Sequence, residues 1–567
     1  MSKGGAVDER SAQALRLATE VRKHVESPKD RVTPNELMGY VLRAEADLMW
    51  FGGIGTYVKA AFESDMDVSD RANDAIRING AELRCKVLGE GANLGVTQLG
   101  RIEYALKGGR LNTDSIDNSA GVDCSDHEVN IKILIDSIVD QGRLSVPKRN
   151  KLLASMTNEV SRLVLRHNYL QTQAISMIQS KGGQNLDSQI RLMRVLERAG
   201  RLNRAVEFLP DDETLSERAA AKQGLSRPEI AIVMSYAKIW LYDELLDSGM
   251  PDDPWLEEDL VQYFPTPLRG KYLKDIRHHR LRREIIATRT TNSMINRVGG
   301  TFVTQFMEKT GKSAVEITRA YTIAREVFRL REIWETIEKL DNRVMPSMQA
   351  ALTLDTNHLI EWVTLWFLRN GKPGQDIGGH VKEFQTGIAT LSDGLVGMLP
   401  PHYMGDVKKR AAPYIDQGVP EAFALRVANL VNLYSGCDIV RLANKRRLPV
   451  QGVAKMYFAI GTHFHLGRLR AAAENMSVEN HWQQLAVAAL TEEIYGHQLA
   501  FANQVLDFSR SGKNPEKAVQ GWLIKNRDLV EPTEQLLSEL WATEINDLSM
   551  IAFASCSLPT LTDGGTT

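Results

Sequence analysis

Cysteine is scarce in this sequence. Four residues in 567, Cys85, Cys124, Cys437 and Cys556, lie far apart with no C-x-x-C spacing. That argues against a disulfide-stapled scaffold or a thiolate-cluster metal site and leads us to expect a reducing, cytoplasmic compartment. Long apolar runs are missing too: no stretch of about 18 apolar residues could span a bilayer. The start, "MSKGGAVDERSAQALRLATEVRKHVES", lacks the apolar segment of a secretory signal. Nor does one charge dominate. A formal net charge of -2, from 69 basic and 71 acidic residues, gives no concentrated basic face for a phosphate backbone. A Walker loop, a Ser-His-Asp order, paired carboxylates and a fixed-period repeat are also absent. Neither a membrane nor a nucleic acid is therefore expected as a partner.

What is present divides into two halves. The length implies roughly two to four domains. From about Pro34 to Asp140, apolar runs end in glycine or asparagine: "ADLMWFGGIG", "RCKVLGEGAN" and "LNTDSIDNSAG". Helix-like pieces, "DVSDRANDAIRING" and "TQLGRIEYALKGG", separate them. Such alternation predicts a parallel sheet of the doubly wound type, with ligands beyond the carboxyl ends of its strands. From Pro147 the period changes to three and four residues, as in "PKRNKLLASMTNEVSRLVLRHNYLQTQAISMIQSK", which predicts long helices. Ser226, Pro228 and Glu229 open one of them with a capping box. "RAYTIAREVFRLREIWETIEKL" and "HWQQLAVAALTEEIYGHQLAFANQVLDF" read as further helices. The expected fold is an α/β Rossmann-like partial domain followed by a large, mainly α-helical domain. Its boundaries fall at residues 1–146 and 147–555, with a disordered tail at 556–567.

The loops carry the candidate chemistry. Gly52, Gly53 and Gly55 follow a strand directly, where glycine permits a close ligand approach or a tight turn. Their spacing is not the G-x-G-x-x-G fingerprint. Glu90 and Asn93 stand at the next strand end, where an amide suits a ribose or carboxamide, and equally a turn. "IDNSAGVDCSDHEVNIK" reads as a polar turn, then a helix capped by Ser125 with Glu128 reaching back. A metal set of Cys124, His127 and Glu128 is the sharper alternative, but neighbouring helical positions diverge, so no metal is expected. A helix start at a sheet's carboxyl edge can still grip an anionic substrate. "THFHLG" reads as a helix on which His463 and His465 diverge, and "IRHHRLRREI" as a basic stripe forming a solvated or inter-helix face.

Several blocks go further. "ADLMWFGGIGTYVKA", the stretch from "GAELRCKVLGEGANLGVTQLG" to "NSAGVDCSDHEVNIKIL", "LSRPEIAIVMSYAKIWLYDELL", "YFPTPLRGKYL" and "HRLRREIIATRTTNSMINRVGGTFV" resemble the large bacterial NAD-specific glutamate dehydrogenases. The resemblance runs from about Ser2 to about residue 550 and matches the C-terminal part of that family. More distantly it extends to the smaller glutamate dehydrogenases, whose closing blocks read E-G-A-N and N-A-G-G-V-x-V-S. Here these are Glu90–Asn93 and Asn118–Ser125. The resemblance implies that Asn93 and Asn118, with Gly52 and Gly53, contact the NAD cofactor. It implies that Val122 and Ser125 line the pocket for the distal carboxylate of L-glutamate. Ser119 and Cys124 depart from the small or apolar residues usual there.

The activity so implied is oxidative deamination of L-glutamate to 2-oxoglutarate and ammonia. The same resemblance puts the catalytic lysine, its partner aspartate and the first glycine fingerprint upstream of Met1. No catalytic residue is therefore expected in this chain, and its partners would be the N-terminal part of the enzyme and further copies in a homo-oligomer. The alternative is a catalytically incomplete fragment serving structure, assembly or regulation. A dehydrogenase for another amino acid would carry an apolar residue at Ser125.

Overall fold

A short antiparallel pair opens the molecule: β1 (Leu15–Arg16) lies beside β2 (Arg31–Val32), with α1 (Thr19–His24) between them. The computed structural model describes residues 13–372, 374–476, 481–508, 514–543 and 547–558. Helix α2 (Pro34–Leu42) follows, started by a capping box of Thr33 and Glu36 with proline in its first turn. The apolar runs then become strands. β3 (Leu48–Phe51) and β6 (Val87–Glu90) pair in parallel, in register from Leu48 opposite Val87 to Phe51 opposite Glu90. β4 (Val58–Lys59) and β5 (Ile78–Asn79) form a second parallel pair. Single parallel bridges join Val58 to Val96 and Val87 to Arg110. Phe51, Val58, Ile78, Leu88, Val96, Tyr104 and Leu111 pack into one buried core among these pieces.

Two expectations change here. The third run, "LNTDSIDNSAG", forms no strand: only Arg110 just before it makes a single bridge, and the chain then turns into α5 (Asp114–Asp117). "DVSDRANDAIRING" is not one helix but α3 (Asp65–Val68), a 3-10 turn at Arg71–Asn73 and β5. Ser69 takes a left-handed conformation that stops α3. The Arg77 guanidinium, fully buried, gathers Asp65, Asp74 and the Thr56 and Asp70 carbonyls into a turn. α4 (Gln98–Leu106) forms as expected, with the Thr97 hydroxyl accepting from the Gly100 amide at 3.0 Å.

The helical expectation holds for the rest of this unit. α6 (Ser119–Asp140) and α7 (Val146–Ser180) pack together. They are followed by α8 (Leu186–Arg198), α9 (Asp212–Ala220), α10 (Arg227–Leu246), α11 (Glu257–Tyr263), α12 (Thr266–Arg269), α13 (Leu273–Arg277) and α14 (Arg282–Val298). α10 starts at the expected capping box, and its Glu229 also takes a bidentate, buried ion pair from Arg218 on α9. α10 packs on α14, α7 and α4, which ties the helices to the small α/β portion.

By internal packing the chain forms two compact units, Met1–Thr318 and Arg319–Thr567. The expected boundary at 146/147 falls in the first turn of α7, inside the first unit. The second unit is helical throughout its described residues, with long members at Pro346–Asn370, Ile377–Gly394, Val450–His463 and His481–Phe508. "RAYTIAREVFRLREIWETIEKL", expected as one helix, breaks at Arg329, whose φ is 51°. Cys556 and Ser557, expected to begin the disordered tail, close a helix over Leu548–Ser557; residues 559–567 lie outside the described part. Among the described residues no helix is long and apolar enough to cross a membrane.

One close approach fixes how α4 sits on the sheet. A methyl on Gly80 would stand 2.6 Å from the Gly100 carbonyl oxygen, a backbone atom with no rotamer to escape into. Gly80→Ala is expected to lower the unfolding free energy by about 2 kcal/mol through this overpacking. Urea unfolding followed by tryptophan fluorescence checks it; a midpoint equal to the parent's would show that α4 can move away freely.

Candidate functional site

Parallel pairing places the ends of β3 and β6, Phe51 and Glu90, on one edge, while Arg110 bridges to Val87 at the amino end of β6 and the chain after it runs toward that edge. After Phe51 the chain turns through Gly52 and Gly53, both exposed, and a Cβ built on Gly53 meets nothing within 4 Å. Gly55 has φ of 144°, a conformation that L side chains rarely adopt. The loop is pinned from below, since Asp70 accepts from the Thr56 amide at 2.8 Å and from Asn73 at 2.7 Å.

Glu90 ends β6 with its side chain wholly buried. Arg101 on α4 donates to both carboxylate oxygens, at 2.7 and 3.0 Å, and also reaches Asp114 at 3.2 Å. Burial pushes the Glu90 carboxyl up, while the Arg101 hydrogen bonds pull it down. Burial also works against the Arg101 charge, yet Glu90 and Asp114 hold that guanidinium above its ordinary value. A permanently charged guanidinium on two carboxylate oxygens keeps the pair ionised. Glu90 also accepts from the Val96 amide at 3.0 Å, which closes the Gly91–Gly95 loop. Within that loop Leu94 is left-handed, with φ of 61°; its amide donates to Asp114 and its carbonyl accepts from Thr56. Asn93, beside it, is exposed.

The third loop is bound to the second. Asp117 accepts from the Glu90 amide at 3.0 Å and from the Asn112 amide group at 3.0 Å. Asn118 donates to the Glu90 carbonyl at 2.7 Å. Asn168 on α7 donates to the Ile116 carbonyl and to the Ser119 hydroxyl, and Arg227 on α10 holds Asn112 and the Leu111 carbonyl. These contacts overturn one local expectation. Ser125 is not an N-cap and Glu128 does not close a box: α6 begins at Ser119, and Glu128 pairs with Lys132 instead. The anchors at Asn118 and Ser119 extend the helix by about two turns beyond the best local capping signal.

Gly52, Gly53, Asn93 and Asn118 therefore share the carboxyl edge. Val122 and Ser125 follow Asn118 at four and seven residues, on the same side of α6, and both are exposed. The opposite side, His127, Ile131, Leu134, Ile135 and Ile138, is buried. The alternative ligand set of Cys124, His127 and Glu128 does not come together, because Cys124 and Glu128 are exposed while His127 is buried. Instead His127 stacks on Tyr263 with centroids 4.3 Å apart and lies near Asp123 and His167. The pair "HH" at 278–279 combines the two faces expected there: His278 is exposed, while His279 is buried between helices, its Nε2 meeting the Asn130 carbonyl of α6 at 3.1 Å. Sequence reasoning missed Arg77, Arg101, Asp117, Asn168 and Arg227. Only Arg101 had a sequence cue, its position one turn into a helix after an acidic strand end.

A parallel α/β edge with open glycine and amide loops, backed by long helices, is the architecture of a small-molecule site at strand carboxyl ends. The profile of the family described as "Glutamate dehydrogenase, C-terminal" matches residues 222–560, and that of "Bacterial NAD-glutamate dehydrogenase, catalytic domain" matches 1–178. Proteins named NAD-specific glutamate dehydrogenase from Pseudomonas aeruginosa, Halomonas elongata and Mycobacterium tuberculosis are 42%, 38% and 35% identical over 98%, 98% and 99% of this chain. The chain belongs to the bacterial NAD-specific glutamate dehydrogenase family. It spans about a third of those relatives' length, 34%, 34% and 35%.

Two measurements follow from the electrostatics. Arg101→Met leaves Glu90 buried without its partner and is expected to cost about 3–5 kcal/mol. Chemical unfolding checks the magnitude, and hydrogen exchange should show the Leu94 and Val96 amides losing protection first. Lys238 on α10 is half-buried, and burial pushes its amine down to about 7 from 10.5 while it donates to Gln171. Between those values the unfolded chain binds the extra proton, so this group makes stability rise with pH across roughly 7 to 10.5. Lys238→Met should remove that part of the slope and stabilise the protein more at pH 7 than at pH 10, as read from paired urea curves.

Proposed function

We propose that this chain supplies the carboxyl-edge half of the NAD and glutamate site of an NAD-dependent glutamate dehydrogenase, together with a large helical body. The reaction is oxidative deamination of L-glutamate to 2-oxoglutarate and ammonia. The single observation that carries the reading is the meeting of Gly52, Gly53, Asn93 and Asn118 on one sheet edge, with Val122 and Ser125 next to it on α6. We read the α/β portion, residues 1–146, as the closing part of a Rossmann-like domain, and 147–555 as the helical domain.

NAD, when bound, supplies the acceptor for the hydride leaving the α-carbon of glutamate. The chain's own residues bind and orient. Gly52 and Gly53 leave the backbone bare where a cofactor passes, the exposed Asn93 amide offers both donor and acceptor, and Asn118 keeps its carbonyl oxygen for a contact while its amide group holds Glu90. The Ser125 hydroxyl donates to the distal carboxylate and Val122 packs against the methylenes. The lysine and acid/base carboxylate this chemistry requires are assigned to the preceding part of the enzyme. An uncovered apolar rim of Trp50, Ile54, Phe62 and Met66, 59%, 90%, 76% and 84% exposed, supports such a partner segment. Assembly as a cytoplasmic homo-oligomer belongs to the same proposal.

The test combines binding and turnover. NAD+ should bind the purified chain, and Asn93→Ala should weaken it about tenfold, the worth of one hydrogen bond near 1.4 kcal/mol. NADH formation from L-glutamate should appear only when the preceding segment is added. There Ser125→Ala should raise KM for glutamate more than it lowers kcat. Full turnover by the chain alone would contradict the assignment of the lysine, and NAD+ binding insensitive to Asn93 would contradict the edge as the cofactor site.

A further inference from the structure

Beside the edge, on the buried side of α6, lies a group the reaction above does not use. Asp123 and His127 are four residues apart on that helix, and His167 faces them from α7. One ligating atom from each lies within 4.8 Å of the others. Asp123 Oδ2 meets His167 Nδ1 at 2.8 Å, and Asp123 Oδ1 stands 3.9 Å from His127 Nε2. His127 is 0% exposed, and neither of its ring nitrogens has a hydrogen-bond partner. Burying a polar ring without partners is costly, and a native fold normally satisfies such atoms. The surroundings hold this ring in place all the same. Tyr263 covers one face at 4.3 Å, and its hydroxyl is fixed by Asn130 at 2.9 Å and Asp126 at 3.1 Å.

We propose that Asp123, His127 and His167 bind one divalent ion of the first transition row, with zinc or cobalt as the type, in a three-ligand site whose remaining positions open to solvent past His167. Neutral imidazole nitrogens with one carboxylate are the donor set these ions take, whereas calcium and magnesium prefer oxygen throughout. The i, i+4 spacing presents Asp123 and His127 on one helix face, so two ligands are set by helical geometry alone. The third is adjustable. The His127 and His167 rings lie 15° from parallel with centroids 5.8 Å apart. His167, with its side chain 32% exposed, turns so that its nitrogen points at the ion. Bonds of about 2.0 Å at tetrahedral angles set ligand atoms about 3.3 Å apart. The present separations lie on either side of that spacing, 2.8 Å from Asp123 Oδ2 to His167 and 3.9 Å from Asp123 Oδ1 to His127, and the carboxylate must turn to offer one oxygen to the ion. The proposal stands on this cluster and on no step of glutamate oxidation.

Cobalt(II) tests it on the full chain, untagged and first stripped with chelator. Equilibrium dialysis with metal analysis should give one ion per chain, with visible d–d bands of a nitrogen and oxygen environment and no thiolate charge-transfer band. His167→Ala and Asp123→Asn should each weaken binding about 100-fold or more, while Cys124→Ser leaves both affinity and spectrum unchanged. His167 is partly exposed, so its variant remains informative even where replacing His127 prevents folding. Absence of a stoichiometric ion, or binding that survives both substitutions, overturns the proposal. Either result leaves the NAD+ binding experiment to be judged separately.

Discussion

The Glu90–Arg101 ion pair is the constraint on which the candidate site depends. It sits with both side chains buried at the point where β6 hands over to its loop, and the second and third loops of the edge are bonded directly to Glu90. Glu90 closes its own loop through the Val96 amide and receives the third loop through its backbone amide and carbonyl. Arg101 brings in α4 and Asp114, and Asp114 in turn fixes the left-handed Leu94 next to Asn93. Two desolvated charges are expensive to assemble and more expensive to separate. That asymmetry suits a site that must keep its loops in one arrangement while their tips remain bare for a ligand.

Rigid base and open rim recur through the first unit. Arg77 performs for the glycine loop what Arg101 performs for the asparagine loop, drawing in carboxylates and carbonyls from residues 56 to 74. Arg227 and Asn168, projecting from long helices, clamp the third loop. The helices are therefore more than a support for the sheet's core. They reach the same edge with polar side chains and set its geometry. The apolar residues around it, Trp50 and Ile54 among them, stay uncovered in this chain.

α6 shows how one helix can serve two purposes. Its exposed side offers Val122 and Ser125 beside the edge, while its buried side packs apolar residues and the His127 imidazole, which burial pushes down to about 4 and so keeps neutral. Both sides follow from where the helix begins. A start at Ser119 rather than Ser125 places Asn118, Val122 and Ser125 on a single stripe, and it brings Asp123 and His127 onto one face.

The sequence by itself determined the periodicities and the stops. Apolar runs ending in glycine became β3 and β6, Thr97 and the Ser226–Glu229 box began α4 and α10, and the step to three- and four-residue spacing marked the long helices. These are local signals, written in neighbours only a few residues apart. The family blocks were equally legible, since they too are strings of adjacent residues. Tertiary structure alone decided the rest. It reduced the third strand to one bridge, and it broke "DVSDRANDAIRING" around Arg77. It carried α6 past its apparent cap because Glu90 and Asn168 hold Asn118 and Ser119 from outside. It also joined His167 to Asp123, 44 residues away in the chain, and to His127. Capping preference is worth about a kilocalorie per mole, and several tertiary hydrogen bonds at one helix end outweigh it.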